Sequence, residues 1–250
     1  MRTKNSIINS LVGLGSYVIL LLGPLVLSPV VASLGSEVLG IQKTFMDTVA
    51  LLNIIELGIS FGVIYKLYKP IAENDTEKIS ILLNFYKNTF KVIALVLLVL
   101  GLLTAISIPQ IVPEHDSNRF SDKWLSTMFI LYLADTLYLF GHKRAMLIAD
   151  QRNYLVSICR TSCQVLMYIL QLVSIVCFRS FEMYVVSRLV CTLLDSIFVH
   201  VIYKVKYKNI DLKIKKKLEK AERNDLFKNL GALFYHKIGY QSLASGSTLI

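Results

Sequence analysis

Charge is scarce in this sequence. Only 18% of the 250 residues are charged, and these residues are clustered rather than spread. Several stretches of about 17–25 residues are therefore almost free of charge, which is long enough for a helix to cross a bilayer. Segments of about ten residues with alternating polarity, typical of membrane β-barrels, are also lacking. Together these features predict an all-α, polytopic membrane helix bundle rather than a soluble domain.

Motifs for soluble chemistry are lacking as well. There is no G-x-x-x-x-G-K-[ST] loop, so the chain does not supply an ATPase of this type. The four cysteines fall within apolar segments, and although Cys159 and Cys163 are one helical turn apart, no histidine or further cysteine joins them. The histidines are scattered without metal-ligand spacing. We therefore predict no enzyme activity, catalytic residue, metal or cofactor.

The apolar segments define six spans and the start of a seventh. The six are Ile7–Val31, Thr44–Tyr65, Val92–Ile108, Trp124–Phe140, Leu155–Phe178 and Phe181–Tyr203, and the seventh begins near Leu226. This pattern divides the chain into a six-helix membrane lobe over residues 1–203, a basic loop over 204–225 and a further helix start over 226–250. The basic loop is open to two interpretations, a helix on the membrane surface or a solvated connection.

The basic residues predict the orientation. If the N-terminus is cytoplasmic, the cytoplasmic segments hold about twenty lysines and arginines and the outward segments hold four. The excess recurs in every alternate segment, as the positive-inside rule requires. It also explains the net charge of +10 without nucleic acid, so the predicted partner is the lipid bilayer.

Six polar residues lie at membrane depth, where a charge costs at least about 2.5–3.5 kcal/mol. They are Asn53 and Glu56 in the second span, Asp135 in the fourth, Arg160 in the fifth, and Arg188 and Asp195 in the sixth. Arg188 and Asp195 are about two turns apart and share one helix face. These residues either line a path for a polar solute, with carboxylates that exchange protons, or pair across helices as structural contacts. Gly23, Pro24 and Pro29 are expected to interrupt and kink the outer half of the first span, with a simple helix-end role for Pro29 as the alternative.

Several segments resemble one family of transporters. They are Leu34–Ile41, Ile55–Ser60, Tyr65–Asp75, Ile148–Tyr154 and His236–Gly239. Together they look like the N-terminal half of bacterial polysaccharide repeat-unit flippases (Wzx-type), in the multidrug/oligosaccharidyl-lipid/polysaccharide exporter superfamily. The resemblance covers nearly all of the chain.

The resemblance implies one lobe of a two-lobed exporter in the bacterial inner membrane that works by alternating access. The substrate would be an undecaprenyl-diphosphate-linked oligosaccharide for capsule, O-antigen or exopolysaccharide, with a proton or sodium ion as the candidate coupling ion. In such a cavity Arg160 and Arg188 are candidates for the diphosphate. Asn53, Glu56 and Asp135 are candidates for the sugar or for ion coupling.

Other interpretations stay open. The chain ends after about one lobe, which predicts a truncated form that needs a second lobe, or a homodimer of half-transporters. A lobe of a cation-coupled multidrug exporter and a nonfunctional remnant are alternatives. A membrane-embedded glycan polymerase or acyltransferase is a further class, but it would need large loops or a catalytic His/Asp cluster, which the sequence lacks.

Overall fold

The structure is a computed structural model that describes residues 2–112, 119–134 and 140–210, together with 216, 218–220 and 222–224; the side chains of 2–4, 53–61 and 134 are not described. Its described elements are all helical, and no strand occurs among them, which confirms the predicted all-α bundle. The helices are α1 (Arg2–Ala32), α2 (Ser36–Glu73), α3 (Thr76–Ile111), α4 (Asp122–Ala134), α5 (Gly141–Ala149), α6 (Asn153–Val176) and α7 (Phe181–Lys206).

The first helix, α1, is continuous through both of its prolines, so the expected interruption of the first span is wrong. A proline removes one backbone hydrogen bond, and the turns on either side keep theirs. Gly23 serves a different purpose, close approach of α6. A Cβ atom at Gly23 would lie 2.0 Å from Cε2 of Tyr168, so the tyrosine ring packs directly on the α1 backbone.

Polar contacts also join α1 to α6. The Asn9 amide donates to the Gln151 carbonyl at 3.1 Å and accepts from the Tyr154 N–H at 2.6 Å. Further along, the Thr161 hydroxyl donates to Ser16 at 2.7 Å. These bonds satisfy polar groups that lipid cannot satisfy, so they fix one face of α1 against α6.

The second and third predicted spans lie within much longer helices. The 38 residues of α2 and the 36 of α3 extend past a hydrocarbon core of about 30 Å. The basic segment between these spans is therefore not a loop but two helices that meet at Asn74, which adopts a left-handed φ of 55°, and Asp75, which caps α3 by accepting from the Lys78 N–H at 2.8 Å. The hairpin is helical because Leu67 and Leu83, both fully buried, belong to one continuous apolar cluster.

The fourth predicted span, Trp124–Phe140, begins with α4 at Asp122, and residues 135–139 lie outside the described residues. The chain then turns at Phe140, where φ is 70°, and α5 begins at Gly141. The short helix α5 packs against α2, α3, α6 and α7. It is the central element of its end of the bundle.

The core has two principal parts at opposite ends of the bundle. We call them the Gly35 end and the Asn74 end after the turns that they contain. The Gly35 end is built around Phe45, Phe129, Tyr132 and Tyr184. The Asn74 end is built around Leu67, Leu83, Tyr86, Met146 and Tyr203, and Ile210 and Leu218 of the basic stretch pack against it.

Four described helical segments are long and apolar enough to cross a membrane: Asn5–Ala32, Thr76–Ile111, Asn153–Val176 and Phe181–Lys206. Large apolar side chains on these segments point outward, among them Leu25 at 69% and Ile106 at 74% exposed. Such a surface suits lipid rather than water, so the chain is a membrane helix bundle. The count of six spans stays a prediction, and the predicted seventh, from residue 226, lies outside the described residues.

Candidate functional site

The structure places three of the six predicted site residues with their side chains. Arg160 lies on α6, and Arg188 and Asp195 lie on α7. Asn53 and Glu56 lie within α2, but their side chains are outside the described residues, and so is all of Asp135. The predicted roles of these three residues therefore stay predictions.

Asp195 forms a buried ion pair with Arg144 of α5. The Asp195 Oδ2 atom lies 2.5 Å from an Nη atom of Arg144, and the two side chains are 11% and 12% exposed. The other carboxylate oxygen and the Arg144 Nε atom are buried and have no hydrogen-bond partner among the described residues. The pair thus ties α5 to the middle of α7, and removing one member would leave a buried charge.

Arg144 was not among the predicted site residues, because it follows the fourth span in a segment predicted to be cytoplasmic. The signal that pointed to it is the buried carboxylate itself. The Asp195 carboxylate near the middle of the sixth span needs a partner of opposite charge. Arg144 lies in the basic run His142–Arg144, which directly follows the fourth predicted span. The chain brings this run back into the bundle through α5.

Arg188 lies about two turns before Asp195 on the same face of α7. Its Nη1 atom donates to the Tyr132 hydroxyl at 3.0 Å, and its guanidinium carbon lies 4.4 Å from the centre of the same ring. Tyr132, on α4, is 1% exposed. Arg188 and Asp195 therefore share α7 but contact different helices, α4 and α5 respectively. Arg160 is exposed on α6, apart from both.

Buried amides form a second polar feature that the sequence analysis missed. Gln42 of α2 donates to the Tyr184 hydroxyl of α7 at 2.5 Å, while its Oε1 atom is buried without a described partner. Gln171 of α6 is 1% exposed, and neither of its amide atoms has a described partner. Leaving such a group unpaired costs about 1–3 kcal/mol. For Gln171 the available signal was a glutamine within the predicted span Leu155–Phe178, but it carries no charge; Gln42 precedes the predicted second span.

A third polar feature is a face of α1. Ser6, Ser10, Gly13, Tyr17 and Ser28 recur at intervals of three, four, seven or eleven residues and so lie along one side of the helix. The serines and Tyr17 are exposed, and nothing lies within 4 Å of a Cβ atom built at Gly13. This polar face is distinct from the α6-packing face and from the apolar face that carries Leu14 and Leu25. Its continuous part extends about 17 Å, from Ser6 to Tyr17; beyond it Leu20, Leu21 and Pro24 occupy the same side of the helix before Ser28.

At the Asn74 end, α1 and α2 border a cleft of about 480 Å³. Its lining includes Asn5, Tyr68 and the turn from Ala149 to Arg152. Asp150 in this turn accepts from the Tyr207 hydroxyl at 2.6 Å and pairs with Arg152 at 2.8 Å. Burial and the bond to the Asp150 carboxylate raise the pKa of Tyr207. The phenol therefore stays protonated and continues to donate to the carboxylate.

No family model matches the chain, and the searches of curated proteins and of solved structures also find nothing similar to it. The resemblance to polysaccharide flippases consequently stays a prediction from the residues quoted above.

Proposed function

We propose that the chain is one lobe of a membrane transporter that moves a lipid-linked oligosaccharide across the bacterial inner membrane, from the cytoplasmic to the outer leaflet. The observation that carries this proposal is the polar face of α1, whose continuous part extends about 17 Å from Ser6 along a helix long and apolar enough to cross the membrane. A bilayer's hydrocarbon core is about 30 Å thick, so this part reaches from the N-terminal end of the helix to about its middle.

Polar groups exposed on a membrane helix need water, protein or a polar ligand as neighbours. The serine and tyrosine hydroxyls of α1 offer both donors and acceptors, which suits the hydroxyl groups of a sugar. The next sector of the same helix is apolar and carries Leu14 and Leu25. A substrate with a sugar head and a long lipid tail could therefore keep its tail in the bilayer while its head follows the polar face.

A second lobe or a second copy of the chain would enclose the polar face on its open side. With the N-terminus cytoplasmic, the Asn74 end faces the cytoplasm, because the hairpin with Lys66, Lys69 and Lys78 lies there. The cleft beside Asn5 and Tyr68 then opens towards the side from which the substrate comes.

The described charges divide between structural and transport roles. Asp195 is held by Arg144, so it acts as a helix contact rather than as a free proton carrier. Arg188, held against Tyr132, remains the candidate for the substrate diphosphate. Ion coupling, if the transporter uses it, is assigned to Glu56 or Asp135.

The test uses vesicles that contain the chain and a fluorescent lipid-diphosphate-linked saccharide. The double variant Ser10→Leu/Tyr17→Leu should slow transfer at least tenfold because it makes the polar face apolar. Ser33→Leu/Tyr65→Leu is the matched control, since both of its positions are exposed and lie off this face. Equal transfer by all three proteins would contradict the proposal, and no transfer by the unaltered chain would contradict enclosure of the polar face by a second copy. Transfer of a lipophilic cation instead of the saccharide would indicate a drug exporter.

A further inference from the structure

Six cationic or basic side chains gather at the Asn74 end, outside the polar features described above. They come from α3, α5 and α7 and surround the first turn of α5. They are Lys87, Lys91, His142, Lys143, His200 and Lys204. We call them the basic cluster.

Two members of the basic cluster are buried. His142 is 7% exposed and Lys143 is 6% exposed. The Lys143 ammonium contacts Nδ1 of His200 and lies 4.0 Å from the centre of the Phe140 ring. Among the described residues, the Lys143 ammonium therefore contacts an imidazole and an aromatic face but no carboxylate. These contacts offset the free energy of removing the ammonium from water only in part.

Among the described residues, the cluster's positive charge has no carboxylate partner. Burial and the charges of Lys143, Lys87, His200 and Lys91 lower the pKa of His142 to about 4. Burial and the charges of Lys204 and Lys87 lower the pKa of Lys143 to about 8. Within the described part of the chain, no carboxylate forms an ion pair with any member of the cluster.

Two buried polar atoms beside the cluster also have no hydrogen-bond partner among the described residues. One is Nε2 of His142, and the other is the hydroxyl of Tyr203, whose ring centre lies 5.7 Å from the Lys143 ammonium. The cluster further surrounds the N-terminus of α5, where the Lys143 N–H donates to the Phe140 carbonyl at 2.8 Å and the positive end of the helix dipole favours an anion. Lysine and histidine side chains in a first turn oppose this dipole unless an anion lies between them.

The surface beside the cluster is apolar. Val92 of α3 is 62% exposed, and on α7 Val201 and Val205 are 51% and 67% exposed. All three lie on segments long and apolar enough to cross the membrane. An anion at the basic cluster would therefore have room for acyl chains next to it, as a phospholipid headgroup at the membrane surface requires.

We propose that the basic cluster binds a phosphate group, supplied by the headgroup of an anionic lipid in the leaflet at the Asn74 end. The phosphate is held by Lys87, Lys143 and Lys204, with the His142 imidazole and the Tyr203 hydroxyl as further polar contacts. The proposal goes beyond the transport function and does not depend on it, because the cluster lies on α3, α5 and α7, whereas the polar face lies on α1.

The experiment measures lipid retained by the purified full chain from nanodiscs of equal phosphatidylglycerol and phosphatidylcholine. Lys87→Gln/Lys204→Gln removes two cluster charges at half-buried and exposed positions, and Lys143→Gln removes the buried one. Lys43→Gln/Lys123→Gln is the charge-matched control, because both lysines are exposed and lie near the Gly35 end. In a parallel arm, inorganic phosphate and pyrophosphate are titrated into each protein in detergent.

We expect the double cluster variant to lose preference for phosphatidylglycerol on the order of 25-fold, with the control unchanged. Unchanged lipid preference together with loss of phosphate or pyrophosphate binding would support the phosphate site and assign it to a soluble source. If Lys143→Gln fails to fold, the double variant decides the result. Unchanged binding in both arms, or an equal loss in the control, would overturn the proposal.

Discussion

The two ends of this bundle differ in their side-chain contacts and in the clefts beside them. At the Gly35 end, aromatic rings pack edge to face, with the Phe45 and Phe129 centres 5.3 Å apart. Side chains bridge its connections: Arg119 donates to the Leu34 carbonyl at 2.9 Å, and Trp124 donates to Glu182 at 2.8 Å. The Asn74 end has an edge-to-face pair as well, Tyr86 and Phe90 with centres 5.8 Å apart. In the described part of the chain it also borders clefts of about 650, 510 and 480 Å³, and it carries the basic cluster.

Among the described residues, the clefts and the basic cluster thus lie at one end of the bundle, the Asn74 end. In the proposed orientation this end faces the cytoplasm, the side where a transporter of lipid-linked sugars would collect its substrate. The Arg144–Asp195 pair lies between the two ends, because Arg144 belongs to α5 of the Asn74 end and Asp195 to the middle of α7.

The largest effect is expected from breaking this pair. Asp195→Ala leaves the buried Arg144 guanidinium unpaired and should reduce the free energy of unfolding by about 3–5 kcal/mol. Thermal unfolding of the purified protein in detergent measures the loss. Lys69→Ala is the control, since the Lys69–Glu73 pair is 3.9 Å long and well exposed, and exposed pairs contribute about 0–1 kcal/mol. Equal losses in both variants would contradict a structural role for Asp195.

The aromatic packing at the Gly35 end is the next test. Phe45→Ala removes a fully buried ring and should cost about 3 kcal/mol, because the cavity is only partly refilled. Tyr65→Ala, at a side chain 74% exposed, should change stability by no more than about 0.5 kcal/mol. Denaturation in detergent compares the two. A small effect of Phe45→Ala would show that aromatic packing does not stabilise this end.

Acidification should weaken the Asn74 end. The pKa of His142 is lowered from 6.5 to about 4, first by burial and then by the neighbouring positive charges. Because the folded pKa is depressed, the unfolded chain binds more protons between these values, and stability present above pH 6.5 falls as the pH approaches 4. The shift corresponds to a loss of about 3 kcal/mol.

The measurement is the difference in unfolding free energy between the unaltered chain and His142→Gln, followed from pH 7 to pH 4. Carboxylates titrate in both proteins, so their contribution cancels in the difference. A difference that stays constant with pH would exclude His142 as a neutral, buried imidazole.

The smallest effect is expected at the turn beside the α1–α2 cleft. Tyr207→Phe removes the 2.6 Å hydrogen bond to Asp150 and should cost about 1 kcal/mol. Tyr68→Phe, at an exposed ring on the same cleft, is the matched control. Hydrogen exchange of residues 149–153 should increase in the first variant only. No increase would show that this bond does not hold the turn.

The membrane helices could be read from the sequence because long apolar runs are a direct signal. The predicted spans Leu155–Phe178 and Phe181–Tyr203 agree within a few residues with α6 and α7. The extensions of α2 and α3 were missed because their lysines lower the mean hydropathy below that of a span. Their apolar residues nevertheless keep a helical spacing. A search for amphipathic helices between spans would have found them.

The partners within the candidate site could not be predicted. The depth of Asp195 and Arg188 follows from their places in an apolar run, but their contacts depend on how α4 and α5 return to the bundle. The buried amides of Gln42 and Gln171 were not predicted, because uncharged residues carry a much smaller free-energy penalty in an apolar segment than charged residues do. The polar face of α1 was not predicted, because leucines separate its residues in the sequence. The exposure of the individual side chains is what distinguishes this face from the one packed on α6.

The account depends most on whether the polar face of α1 meets water. After replacement of the four free cysteines, single cysteines at Ser10, Tyr17 and Ser28 would be treated in membranes with a charged, impermeant thiol reagent. Cysteines at Leu14 and Leu25, on the apolar face, are the controls. The account predicts fast labelling at the first three positions and slow labelling at the last two. Equally slow labelling at all five would contradict it.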